Sequence, residues 1–139
     1  MKCSVVVRAY NEAKDIGRLL EGIKQQNLAV EIILVDSGST DETVSIAESY
    51  GAKIVHITPE DFTFGRSLNY GVGAASGEFI VNVSAHCYPV YPDWLAQLLK
   101  PFADENLAVS YGKQRGGATN WYSEHQFFKQ YFPDISQPR

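Results

Sequence analysis

Cysteine occurs only twice in the 139 residues, at Cys3 and Cys87, and methionine only once. Two cysteines without metal-type spacing exclude a disulfide framework and a zinc site. Both fall in or beside apolar runs, so reduced, packed thiols and a cytoplasmic setting are expected. Long hydrophobic runs are missing too. Nowhere do the ~18 consecutive apolar residues of a membrane span occur, and the apolar part of "MKCSVVVRAYNE" is too short for a signal peptide. Basic charge is scarce, with 12 Lys and Arg against 16 Asp and Glu and a net charge of −4. No basic cluster could track a nucleic-acid backbone, which excludes that class of partner and leaves only local cations for a small phosphate ligand. Internal repeats, low-complexity tracts and interdomain linkers are also absent. Hydrophobic residues at 45% and charged residues at 20% are ordinary globular composition. One domain over residues 1–139 is expected.

What is present is an alternation of strand and helix patterns. "CSVVVRA" reads as a strand, followed by Ile16, Leu19, Leu20 and Ile23 at helical spacing. "EIILV" is the next strand, and "STDETVSIAESY" the next helix, where Ser39 and Glu42 match a capping box. "AKIVHI" and "EFIVNV" give two further strands, separated by a Pro- and Gly-marked loop and the small-residue helix "RSLNYGVGAAS". "YPDWLAQLLKPF" then reads as a helix opened by Pro92 or Asp93, "LAVSYG" as a fifth strand, "GKQRGGATN" as a flexible loop and "SEHQFFKQYF" as helical. The tail "PDISQPR" carries no packing signal and reads as a cut end. Alternation of this kind predicts an α/β fold, a mainly parallel sheet with helices on both faces.

Open α/β sheets bind ligands beyond the carboxyl ends of their strands. Those positions hold Arg8, Ala9, Tyr10, Asn11 and Glu12; Asp36, Ser37 and Gly38; Ser84, Ala85 and His86; and Lys113 and Arg115, with Arg66 and Asn69 at and in the third helix. Neither GxGxxG nor GxxxxGK[ST] occurs, which removes the dinucleotide fingerprint and the P-loop. Asp36 could accept a hydrogen bond from a base imide or a ribose hydroxyl, or "DSGSTD" could be only a helix-opening turn. Phe62 and Phe64 read as loop anchors, with a cover over a nucleotide as the alternative, His56 as structural, and Tyr88, Tyr91 and Trp94 as packing between helix and sheet. Glu124 and His125 read as a capping pair.

The segments "SVVVRAYNE", "EIILVDSGSTDET", "GRSLNYGVGAASGEFIVNVSAH" and "WLAQLL", in this order, resemble the nucleotide-diphospho-sugar glycosyltransferases of family 2. That resemblance implies the Rossmann-like GT-A fold, a UDP- or dTDP-sugar donor, a saccharide or lipid-linked acceptor, and work in bacterial cell-surface polysaccharide synthesis, in the cytoplasm or at the inner face of the membrane. It further implies that Asp36 and Ser37 meet the pyrimidine, that Ala9, Tyr10 and Glu12 lie along the nucleoside, and that Arg66 reaches the base or phosphate. Glu12 at a helix start is equally well a partner of the helix dipole.

The triplet Ser84, Ala85, His86 falls where the family carries a DXD motif, whose acids bind Mg²⁺ or Mn²⁺ with the donor diphosphate. Both carboxylates are missing, and each charge pair ~4 Å apart is worth about 4 kcal/mol at an effective dielectric of 20. Three readings stay open: His86 as a ligand of a Mn²⁺-like metal, protonated His86 with Lys113 or Arg115 neutralising the diphosphate without metal, and a structural histidine satisfied at a strand end. The family's late acidic base has no counterpart after Gln114. Expected, then, is a donor-binding domain truncated on its acceptor side that transfers sugar with inversion. The alternative is a nucleotide-binding module without turnover.

Overall fold

The computed structural model describes residues 2–117 and 121–132. They belong to two compact units, residues 1–99 and 100–139. The first carries strands β1 (Cys3–Ala9), β2 (Val30–Asp36), β3 (Lys53–His56) and β4 (Phe79–Ser84), with helices α1 (Ala13–Lys24), α2 (Thr43–Ser49), α3 (Phe64–Ala74) and α4 (Trp94–Leu99). The strands form one sheet in the order β3-β2-β1-β4, and every neighbouring pair is parallel. The second unit contains α5 (Tyr122–Tyr131). The tail at 133–139 and the last residues of the expected 112–120 loop, 118–120, lie outside the described residues.

Residue alternation along the strands sorts the two faces of the sheet. Val6 stands beside Ile33, and Arg8 beside Val35, in the β1–β2 register. Val6, Ile33, Val35 and Ile57 make a dry cluster, joined by Val55, Ala74, Ala75 and Ile80. On the other face Val5, Val7, Ile32 and Leu34 are equally buried, as is the Ile16, Leu19, Leu20 and Ile23 stripe of α1. Each such side chain contributes about 1.5–3 kcal/mol by leaving water, so the β1–β2 pair is the energetic centre of the fold. Helix α3 approaches closely because Gly71 is buried; a methyl group there would run into Val6 and come within 3.0 Å of Val35 Cγ2.

The expected fifth strand does not form. Among the described residues 107–112 have no ladder partner, and Val109 (72%) and Tyr111 (63%) are exposed. Nor is Cys87 packed like Cys3: it is exposed, because it lies past the end of β4 in the turn before α4. Among the described residues no helix is long and apolar enough to cross a membrane.

At the amino edge of the sheet, Glu31 ties β2 to the α3–β4 connection. Its Oε2 accepts from Ser4 Oγ (2.6 Å), Ser76 N–H (2.8 Å) and Ser76 Oγ (3.0 Å), while Gly77 N–H donates to Ser4 Oγ (2.8 Å). The Ser4 hydroxyl first, then the Ser76 amide, draw the Glu31 carboxyl down from 4.5 to about 2. A folded-state value below the unfolded one means stability that is full above pH 4.5 and is lost as pH falls toward 2. Solvent screening leaves roughly 1 kcal/mol of this. Denaturant titrations at pH 7 and pH 3 should therefore show Glu31→Gln less stable than wild type at pH 7, with the gap reduced to about half at pH 3. A constant gap at both pH values would contradict the clasp.

Candidate functional site

The loops that leave β1 and β2 are stitched together beyond the strand ends. Asn11 adopts a left-handed backbone, φ 52°, a conformation asparagine tolerates better than most residues. Three successive amides then face the β2–α2 loop. Asn11 N–H donates to Ser39 Oγ (2.9 Å), Glu12 N–H to Thr43 Oγ1 (2.8 Å) and Ala13 N–H to Asp41 Oδ2 (3.0 Å). In return, Asn11 Oδ1 accepts from Thr40 N–H at 2.8 Å. The serine, threonine and aspartate of "DSGSTDET" thus cap α1.

The expected capping box of Ser39 and Glu42 is not formed. Helix α2 begins at Thr43, Glu42 supplies no side-chain cap, and Asp41 Oδ1 instead accepts Thr43 N–H at 3.0 Å. Register explains the change: Ala9 stands beside Asp36, so the two loops start side by side. The Thr43 hydroxyl, assisted by the Ala13 and Thr43 amides, holds the Asp41 carboxyl below the usual carboxylate range.

Asp36 ends β2 with its side chain only 4% exposed. Oδ2 accepts from Gly38 N–H (3.2 Å) and Ser39 N–H (3.3 Å), Oδ1 accepts from Ser39 N–H (3.2 Å), and His56 Nδ1 stands 3.4 Å from Oδ2. Gly38 turns with φ +94°, and a Cβ there would meet Pro59 at 3.2 Å, so both conformation and space call for glycine. Asp36 therefore holds the turn, and His56 has a carboxylate partner that its sequence neighbours did not reveal. Ser37 is buried, and both its N–H (3.1 Å) and Oγ (3.2 Å) donate to the carbonyl of Ala9.

Beside this turn lies a cavity of about 220 Å³ lined by Tyr10, Ser37, Pro59 and Phe62. Drug-sized ligands occupy roughly 300–1,000 Å³, so this slot is sized for a single flat ring. Phe62, read from sequence as a loop anchor or a cover over a nucleotide, is 38% exposed. It forms a wall of the slot and stacks edge-on against exposed Phe64, centroids 5.3 Å apart. A larger cleft of about 410 Å³, around Lys24, Asn27 and Val30, opens at the amino end of β2, the wrong edge for a ligand of an open parallel sheet.

At the end of β4, Ser84 Oγ lies 3.0 Å from His86 Nε2, and His86 Nδ1 lies 3.4 Å from Glu12 Oε1. Ala85 is buried, while the His86 side chain is 63% exposed. Glu12 and His86, 74 positions apart, are thus brought together. Arg8 belongs to the same edge. It stands beside Ser84 in the β1–β4 register, and its guanidinium rests 4.8 Å from the centre of the Phe64 ring. Arg8 is the one charged residue of β1, and nothing in its local sequence pattern signals a role.

These residues do not fit a dedicated metal cage. Among the described residues no group of three or more His, Cys, Asp or Glu could hold a metal ion, and the two nearest donors here, Glu12 and His86, face each other. Mg²⁺ is usually held by one or two carboxylates together with substrate phosphates and water, and Ser84, Ala85 and His86 supply no carboxylate.

Arg66, in the first turn of α3, donates from Nη1 to the Asp61 carboxylate (3.0 Å) and carbonyl (3.1 Å). Lys113 and Arg115 lie exposed in the irregular stretch 107–117 of the second unit. Glu124 caps α5 as expected, accepting from Trp121 N–H at 2.9 Å. Tyr88 and Tyr91 are exposed rather than packed between helix and sheet, and the Arg18 guanidinium lies 3.5 Å over the Tyr88 ring.

Comparison with known proteins gives these features a setting. The profile of the family described as "Glycosyl transferase family 2" matches residues 4–137. A stretch of 57 residues is 44% identical to 4,4'-diaponeurosporenoate glycosyltransferase of Staphylococcus aureus, covering 41% of this chain and 15% of that protein. The structure of S. aureus TarS 1-349 in complex with UDP is similar at a TM-score of 0.63 and 30% identity, over 76% of this chain and 32% of that one. The mannosyltransferase PcManGT from Pyrobaculum calidifontis, in complex with GDP-Man and Mn²⁺, gives 0.65 and 30% over 73% and 32%. The chain therefore spans a third or less of the length of each of these relatives. With the family profile matched from the first strand through α5, on a parallel sheet shared with GT-A glycosyltransferases, the chain belongs to glycosyl transferase family 2.

Proposed function

We propose that the chain is the donor-binding part of a glycosyltransferase that takes a UDP- or dTDP-sugar and passes the sugar, with inversion, to a hydroxyl of a saccharide or lipid-linked acceptor. One observation carries this reading: an aromatic-walled slot for one ring stands beside the buried Asp36 at the carboxyl edge of the sheet. TarS, similar in fold, has been crystallised with UDP and with UDP-GlcNAc, which supports a uridine nucleotide.

In this reading Tyr10 and Phe62 flank the base, Ser37 lies at the slot floor, and Ala9 and Glu12 run along the nucleoside. Asp36 favours a pyrimidine. Its Oδ2 already serves Gly38, Ser39 and His56 and its Oδ1 shares the Ser39 N–H, so a single acceptor position on Oδ1 is left for a ligand. A uracil or thymine imide brings one N–H to that acceptor, whereas guanine brings two adjacent donors that ask for both oxygens. Arg66 reaches the donor by leaving Asp61. We place the protein in the cytoplasm or at the inner membrane face, where nucleotide-sugars are used.

Titration calorimetry with uridine, UDP, dTDP and GDP tests the assignment. UDP or dTDP should bind more tightly than GDP, and Tyr10→Ala should weaken uridine binding roughly tenfold, the usual value of one base–aromatic stack. Tyr10 is 57% exposed, so its loss leaves the fold intact. GDP binding as tight as UDP, or an unchanged Tyr10→Ala, sinks the pyrimidine slot. UDP binding with no sugar turnover in the presence of acceptors would instead indicate a binding module.

A further inference from the structure

We infer that the donor's diphosphate is held in this chain by Arg8, with the Ser84 hydroxyl beside it, and that no divalent metal takes part in holding it. The inference rests on the nucleotide-sugar reading above and adds a ligand that the family resemblance does not supply.

Arg8 and Ser84 are register partners on adjacent parallel strands, so their side chains leave the same face of the sheet about 4.8 Å apart. Arg8 is the one Lys or Arg in the carboxyl half of any strand of the sheet. It points a cation at the edge where ligands of this architecture bind.

The side chain of Arg8 is also left available. Among the described residues Arg8 has no carboxylate partner; its guanidinium is held by the face of Phe64, 4.8 Å away. This cation–π contact spends none of its five N–H donors. A planar fork with its donors unspent matches two phosphate oxygens.

The two side chains that could begin a metal site, Glu12 and His86, lie 3.4 Å apart, and among the described residues no third His, Cys, Asp or Glu joins them. Neither residue at the usual acid positions, Ser84 or His86, carries a negative charge to offset a dication. A fixed guanidinium one strand away repels that dication, whereas it attracts a diphosphate directly. The cation that offsets the leaving charge is therefore part of the chain.

The test is calorimetry of the full 139-residue chain with pyrophosphate, uridine and UDP, in EDTA and in Mn²⁺. Wild type should bind pyrophosphate and UDP in EDTA, with Mn²⁺ changing the UDP affinity by no more than about threefold. Arg8→Gln should weaken UDP and pyrophosphate by at least about tenfold, as expected for hydrogen bonds to a charged group, and leave uridine unchanged. Arg8→Lys, which keeps the charge without the fork, should recover part of the loss. Thermal melts of both variants confirm folding before titration. UDP binding that requires Mn²⁺, or an Arg8→Gln effect that is absent or equal for uridine and UDP, overturns the inference. Loss of uridine binding with pyrophosphate binding intact would overturn the base slot and leave the Arg8 site standing.

Discussion

Alanine at position 71 is expected to destabilise the protein by roughly 2 kcal/mol, against the direction that helix propensity dictates. A glycine inside a helix normally costs about 1 kcal/mol relative to alanine, so the replacement should help if only the backbone mattered. At Gly71 the new methyl group would collide with Val6 and sit 3.0 Å from Val35 Cγ2. Both valines are completely or almost completely buried and cannot step aside. Overpacking of this kind costs about 1–3 kcal/mol, and the collision places it at the upper end.

Gly73, on the same helix, has nothing within 4 Å of the same hypothetical atom. Gly73→Ala should therefore stabilise by about 0.5–1 kcal/mol. Urea unfolding of the two variants gives opposite signs if close packing sets the height of α3 above the sheet, and equal signs if it does not. That height also fixes Phe64, the surface on which Arg8 lies.

Replacement of Asp36 by alanine should produce two losses together. Gly38 and Ser39 N–H groups lose a mostly buried acceptor, which costs about 2 kcal/mol of stability. Uridine and UDP affinity should both fall by between about tenfold and a hundredfold, the value of a charge-assisted hydrogen bond to the base imide. Asp36→Asn separates the two, since the amide keeps one acceptor for the turn but brings an N–H that can face the ligand's own N–H. The asparagine variant should recover stability and remain poor in binding, by urea unfolding and calorimetry respectively. A stable Asp36→Asn protein that binds uridine normally would confine Asp36 to the turn.

Local patterns carried much of this architecture. The alternation of apolar runs and 3.6-residue periodicity located four strands and the helices between them, and their order implied the parallel sheet that is present. "LAVSYG" misled because a β-branched and aromatic run describes a residue preference, whereas a strand also needs a neighbour to pair with. The pairings at the site were less visible for another reason. Ser39 and Asn11 are 28 positions apart, Glu12 and His86 74, and Asp36 and His56 20. Each pair meets only because strand register brings two loop origins together, and a single sequence read in windows contains no register. The capping-box motif was assigned to the helix next to it for the same reason. Arg8 was detectable as a charge inside a strand, but its direction and its aromatic support come from α3, more than 50 residues later.

The side chains that close the start of α1 have a consequence for swapping parts between relatives. Residues 10–13 and 36–43 are one unit written in two places: the first supplies the amides and Asn11 Oδ1, the second the acceptors and the Thr40 amide. A chimera that imports either segment alone inherits half of each bond. Donor preference should therefore be portable between family members only when both segments travel together.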